Sequence, residues 1–75
     1  MDVEARAKAV LADALGVGET EISTETALFV TAEWTSLAHL RLVLALEEAT
    51  GQTLDPATIV ELTDYADVAK ILSVT

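Results

Sequence analysis

The stretch Trp34-Thr35-Ser36-Leu37-Ala38-His39-Leu40-Arg41-Leu42-Val43-Leu44-Ala45-Leu46-Glu47-Glu48 decides the fold of this chain. From Ser36 onward it holds neither Gly nor Pro and is dominated by Leu and Ala, which enter helices at little cost. Leu37, Leu40, Val43 and Leu44 form one apolar stripe at helical spacing, and Leu42, Leu46 and Ala49 form an adjoining one. Gly51 stops the run, so the pattern predicts a helix over residues 36–50. A helix apolar over so much of its surface is central in the fold or faces something besides its own core.

Toward the N-terminus, Val3, Ala7, Val10, Leu11, Ala14 and Leu15 share one helical face, which predicts a helix from Asp2 to about Leu15 that Gly16 and Gly18 terminate. Glu19 to Trp34 then forms a long connection without a sustained period. Ile22, Leu28, Phe29 and Val30 are expected to pin it to the core, with Ser23, Thr24 and Thr26 as turn formers and Trp34 as an anchor on the following helix. So long a loop in a small domain is functional or packed by its own side chains. Toward the C-terminus, Asp55 as cap and Pro56 at the first helical position predict a short helix. Thr63 is expected to cap a last helix, Asp64 to about Leu72, with Tyr65, Val68, Ala69 and Leu72 inward and Ile71 beside them. The sum is an all-α four-helix bundle, with three longer helices, one short helix and a long loop between helices one and two.

With 75 residues there is chain for one core, so residues 1–75 are read as a single domain. The hydrophobic content of 52% argues against disorder. Thirteen Asp and Glu against four Lys and Arg give a net charge of −9, which disfavours nucleic acid and anionic membrane surfaces and favours partners with basic patches. Between Arg41 and Lys70 stand six acids, Glu47, Glu48, Asp55, Glu61, Asp64 and Asp67, and no base. The absence of cysteine excludes disulfides, thiolate metal sites and a thiol nucleophile, and fits a reducing compartment. A single histidine excludes a multi-histidine metal site, and the carboxylates lack calcium-loop spacing, so no metal site is expected. The start Met1-Asp2-Val3-Glu4 is not the basic opening of a signal peptide, and no apolar run reaches the roughly 18 residues of a membrane span. A cytoplasmic, monomeric protein is expected.

Ser36 sits where the long loop meets the central helix, a common place for serine. As a nucleophile it would need a base and an oxyanion site. His39, three residues on, could approach it, but no orienting acid or oxyanion loop accompanies the pair, so the chain is not read as an enzyme. His39 is expected at the helix surface or boundary.

The segment from Trp34 to Glu48 resembles the start of the central helix in acyl carrier proteins, whose attachment motif is Asp-Ser-Leu, followed by an apolar helix, a Glu-Glu pair and a glycine. Here Ser36-Leu37, Leu44 to Glu48 and Gly51 hold those places. The element order of the whole chain is similar, most of all to discrete carriers reading Trp-Asp-Ser-Leu-Gly-His-Leu, found in specialised-metabolite pathways. The resemblance implies that Ser36, flanked by Thr35 and Leu37, receives 4′-phosphopantetheine from coenzyme A through a separate, Mg²⁺-dependent phosphopantetheinyl transferase. The arm's thiol would hold acyl cargo, of a polyketide or related type, as a thioester. It implies acyl-loading, condensing or tailoring enzymes as partners, whose basic docking patches are expected to meet Glu47, Glu48 and neighbouring acids of helix three, with Arg41 also on the partner-binding surface. Peptidyl or aminoacyl carriers share the fold and are the alternative. Thr35 stands where the family has Asp. It caps a helix equally well but supplies no carboxylate to the transferase, which predicts slow modification and supports a second alternative, an unmodified pseudo-carrier that serves as an interaction module. Ala38 and Arg41 replace acids usual in fatty-acid-synthase carriers, which implies dedicated pathway enzymes.

Overall fold

The structure is a computed structural model and describes residues 2–27 and 31–73. Among the described residues four helices follow in order, α1 (Val3–Leu15), α2 (Ser36–Thr50), α3 (Pro56–Glu61) and α4 (Tyr65–Ser73), with a 3-10 turn at Glu19–Glu21. Among the described residues there is no strand, only an isolated bridge between Ala27 and Asp64. The expected all-α bundle, with α3 short and the long loop after α1, is the fold observed. Leu28, Phe29 and Val30, expected to anchor that loop, lie outside the described residues.

Each helix begins where a side chain takes over backbone donors that have no carbonyl one turn back. Asp2 caps α1 by accepting the N–H of Glu4 at 3.0 Å, so the helix starts at Val3 and not at Asp2. Asp55 caps α3, its Oδ1 accepting the N–H of Thr58 at 2.7 Å, with Pro56 next. For α4 the cap is Asp64, not Thr63. Asp64 Oδ1 accepts the N–H of Asp67 at 2.9 Å, while Asp67 Oδ2 reaches back to the N–H of Thr63 at 3.0 Å and its hydroxyl at 3.2 Å. The bridge at Asp64 and the bond from the N–H of Tyr65 to the carbonyl of Thr26, 2.9 Å, fix the backbone there and move the cap one residue on. Gly16 and Gly51 end α1 and α2 at φ 73° and 71°, the left-handed region that a side chain disfavours.

The core is built by α1 packing on α2 and α4, with α2 meeting α4. Leu11, Leu42, Leu46, Leu62, Leu72 and Val68 are its largest fully buried side chains. Ile22 and Trp34 tie the two ends of the loop into the same cluster. Thr26 is buried too, and its hydroxyl accepts the N–H of Ser23 at 3.0 Å. Tyr65 is buried and donates its hydroxyl to the carbonyl of Glu4 at 3.3 Å, joining α4 to α1. Burial, with the nearby charges of Glu4 and Asp2, holds that phenol above its ordinary range.

Neither of the two stripes read on α2 is buried as a unit, since Val43 of the first is buried and Ala49 of the second is exposed. Leu42 and Leu46 are buried with Val43 and Ala38, whereas Leu37, Leu40 and Leu44 are 58%, 61% and 63% exposed. The helix is therefore both central in the core and apolar toward solvent.

Candidate functional site

The junction of loop and α2 is held from three directions. The N–H of Thr31 donates to the carbonyl of Ala27 at 2.8 Å, and the N–H of Trp34 donates to the carbonyl of Thr31 at 3.0 Å, the second bond closing a turn at 31–34 just before the helix. Trp34 is 3% exposed, and its indole N–H donates to Nδ1 of His39 at 3.0 Å. The other ring nitrogen of His39, Nε2, lies 3.0 Å from the carbonyl of Ile59. His39 is thus half-buried, at the boundary position expected, and its bonds link the loop to α3. Both its nitrogens are engaged, so it does not serve as a base for Ser36.

Thr35 has extended backbone, φ −86° and ψ 175°, and its Oγ1 accepts the N–H of Ala38 at 3.1 Å. This starts α2 at Ser36, which is exposed. The first-turn donors of Ser36 and Leu37 have no carbonyl one turn back by helix geometry, and α2 has no acidic residue in its first turn. An exposed hydroxyl, free first-turn donors and the positive end of the helix dipole together fit a phosphate ester at this position.

The remaining anticipated residues divide. Leu37, Arg41 and Glu48 are exposed on α2. Glu47 is half-buried, and its Oε2 accepts the N–H of Leu54 at 2.9 Å, bracing the connection to α3. Of the six acids between Arg41 and Lys70, Glu47, Asp55, Asp64 and Asp67 accept from backbone N–H groups, so most of this acidic run also holds local structure in place. The Thr58 backbone N–H holds the Asp55 carboxyl below the usual range, and the Thr63 backbone N–H does the same for Asp67. Two features escaped the sequence reading. Val60 on α3 is 76% exposed, and the bond of His39 to Ile59 spans twenty residues. The excess apolar surface of α2 was the only signal of an exposed patch, and nothing local signals the histidine bond.

A cleft of about 360 Å³ opens between the end of α2, α3 and α4, bordered by Thr50, Leu54, Thr58, Glu61, Lys70 and Ile71. It lies toward the far end of α2, about 20 Å along the axis from Ser36 at about 1.5 Å per residue. Among the described residues no three His, Cys, Asp or Glu side chains are grouped to hold a metal ion, and no helix is long and apolar enough to cross a membrane.

The phosphopantetheine attachment site family matches this sequence over residues 5–72. The chain belongs to that carrier family. Membership implies a covalently attached 4′-phosphopantetheine group, and carrier domains of this kind are not themselves catalytic. They work with a phosphopantetheinyl transferase and with enzymes that act on what the arm carries. In this carrier, Ser36 combines an exposed hydroxyl, the first position of the central helix and a leucine-rich surround, which makes it the candidate for that attachment.

Proposed function

We propose that Ser36 carries the arm and that this carrier holds acyl intermediates of a biosynthetic pathway as thioesters, presenting them to loading, condensing and tailoring enzymes. The observation that carries this reading is the exposed Ser36 at the start of a helix whose outer face is apolar. In the attachment step the Ser36 hydroxyl attacks the phosphorus next to the pantetheine in coenzyme A. The Oγ–P bond forms, the pyrophosphate P–O bond breaks, adenosine 3′,5′-bisphosphate leaves, and the hydroxyl proton passes to a base of the transferase. The group then supplies the one thiol that a cysteine-free chain lacks. The chain's own residues would position it: Thr35 sets the helix start, Trp34 and His39 hold that start against α3, and the first-turn N–H groups of α2 would supply donors to the phosphate.

The acidic composition favours acyl over aminoacyl cargo, and the replacement of acids by Ala38 and Arg41 favours a dedicated pathway, such as polyketide or other specialised metabolism, over the general fatty-acid machinery. The same composition, without cysteine, supports a monomeric carrier in the cytoplasm. Intact mass of the carrier isolated from its own host tests the reading. The arm plus an acyl mass that hydroxylamine releases is the expected result. An aminoacyl mass identifies a peptidyl-type carrier, and a chain without the arm identifies a pseudo-carrier, as Thr35 at the motif's Asp position would suggest.

A further inference from the structure

Three of the four described helices start on a carboxylate: Asp2 caps α1, Asp55 caps α3 and Asp64 caps α4. The central helix starts on a hydroxyl. Thr35 Oγ1 accepts the N–H of Ala38 at 3.1 Å, and the first turn of α2 holds no acid. The sequence widens the contrast, because in a chain of net charge −9 residues 34–46 hold no Asp or Glu, and one Arg, Arg41. A carboxylate only accepts, whereas a threonine hydroxyl keeps its own proton while it accepts. Thr35, exposed like Ser36, therefore caps α2 and still has an O–H to donate, on the residue next to the candidate serine.

Membership of the carrier family brings a phosphodiester to this chain independently of that cap. The diester adds a negative charge and acceptor oxygens, and no donor. An Asp at position 35 would cap α2 as well, but would set like charge beside the diester and offer it no proton. We infer that Thr35 is the positioning residue for the arm: its hydroxyl donates to a phosphodiester oxygen on Ser36 while its Oγ1 keeps the N–H of Ala38. The diester in turn supplies the negative charge that the start of α2 lacks before modification. The result is a carrier that gains stability with the arm and holds the arm at its root. The neutral cap, a handicap where the transferase uses a carboxylate, becomes an advantage once the arm is in place. This inference rests on Ser36 being the attachment site.

Apo and holo forms of the wild type, Thr35→Ser, Thr35→Val and Thr35→Asp test it, each holo form made with coenzyme A, Mg²⁺ and transferase and confirmed by intact mass. The quantity read is the change in melting temperature on attachment, holo minus apo, so the cap lost in Thr35→Val cancels. Wild type and Thr35→Ser are expected to gain at least about 3 °C more from the arm than Thr35→Val, as one charge-assisted bond implies in a domain of this size. Thr35→Asp, which caps but does not donate, is expected to gain least, by a margin that shrinks as salt screens the two charges. The phosphorus chemical shift of the diester is expected to agree between wild type and Thr35→Ser and to move in Thr35→Val. If Thr35→Val does not fold, Thr35→Asp at high salt, with its cap intact, carries the same comparison. Gains from the arm that agree within about 1 °C between wild type and the variant without the donor would overturn the role of Thr35 while leaving Ser36 as the attachment site. A wild-type chain that gains no mass would overturn the attachment itself and the inference with it.

Discussion

The indole N–H of Trp34 donates to Nδ1 of His39 at 3.0 Å, with the two rings stacked at a centroid distance of 6.2 Å. An indole N–H is only a donor and a carbonyl only an acceptor. Nδ1 therefore accepts from Trp34 while Nε2 donates to Ile59, which calls for one neutral tautomer with its proton on Nε2. One imidazole thus fastens the end of the loop, α2 and α3 together beside Ser36.

Removing that imidazole has a measurable consequence. His39→Ala leaves the Trp34 donor and the Ile59 acceptor without their partner and is expected to cost about 1–3 kcal/mol in urea unfolding. Trp34→Phe, which keeps a ring but loses the donor, costs about 1 kcal/mol from the bond, plus the cavity left by the smaller ring at this buried site. The double variant shows coupling of at least about 0.5 kcal/mol. Strict additivity would mean that the bond contributes nothing. Nitrogen chemical shifts of His39 in the wild type report the tautomer independently.

Two leucines on α2 give the contrast between its faces. Leu42 is fully buried, and Leu42→Ala is expected to cost about 2–5 kcal/mol. Leu44 is 63% exposed, and Leu44→Ala is expected to stay within about 0.5 kcal/mol. Equal losses in denaturant melts would place both residues in the core and remove the apolar outer face.

The bounds of α2 were legible because both signals are local: Thr35 and Ser36 at one end and Gly51 at the other. The short helix after Asp55-Pro56 was legible for the same reason. The cap of α4 was not, because Thr63 and Asp64 are both good caps and the choice follows from contacts with Thr26 and Ala27, nearly forty residues away. Which leucines of α2 point outward depends on where α1 and α4 pack, which an almost all-apolar helix does not reveal. The roles of His39 and Glu47 likewise depend on Ile59 and Leu54, on neighbouring segments of the chain. Ser36 and its flanking residues are legible from the motif as a candidate site.

Acid should loosen the caps of α3 and α4. The carboxyls of Asp55 and Asp67 are both held below their ordinary values, through backbone donors at Thr58 and Thr63. A carboxyl depressed by folding contributes stability fully above its unfolded pKa of about 3.9 and loses it as pH falls through the lower folded value. Asp67→Asn, which keeps shape and removes the charge, is expected to be less stable than wild type near neutral pH. The difference should fade below about pH 4. A gap that persists unchanged to pH 2 would assign the effect to something other than the carboxylate.

Thr35 is the neutral residue at the place where a carboxylate could meet the transferase. If that contact forms in the transition state, its loss costs about 1.5–3 kcal/mol, a factor of roughly ten to more than a hundred in rate. Thr35→Asp should therefore be modified at least about tenfold faster with the same transferase. Because both residues cap helices, circular dichroism should be unchanged. Equal rates would show that the hydroxyl, which accepts the N–H of Ala38 at 3.1 Å, is no handicap.

The central claim is that the exposed hydroxyl of Ser36 carries the arm, and intact mass before and after incubation with coenzyme A, Mg²⁺ and transferase tests it most directly. The wild-type chain is expected to gain one 4′-phosphopantetheine and no more, and Ser36→Ala, with its helicity preserved, is expected to gain none. A Ser36→Ala chain that still gains the arm, through Ser23 or Ser73, would contradict the account.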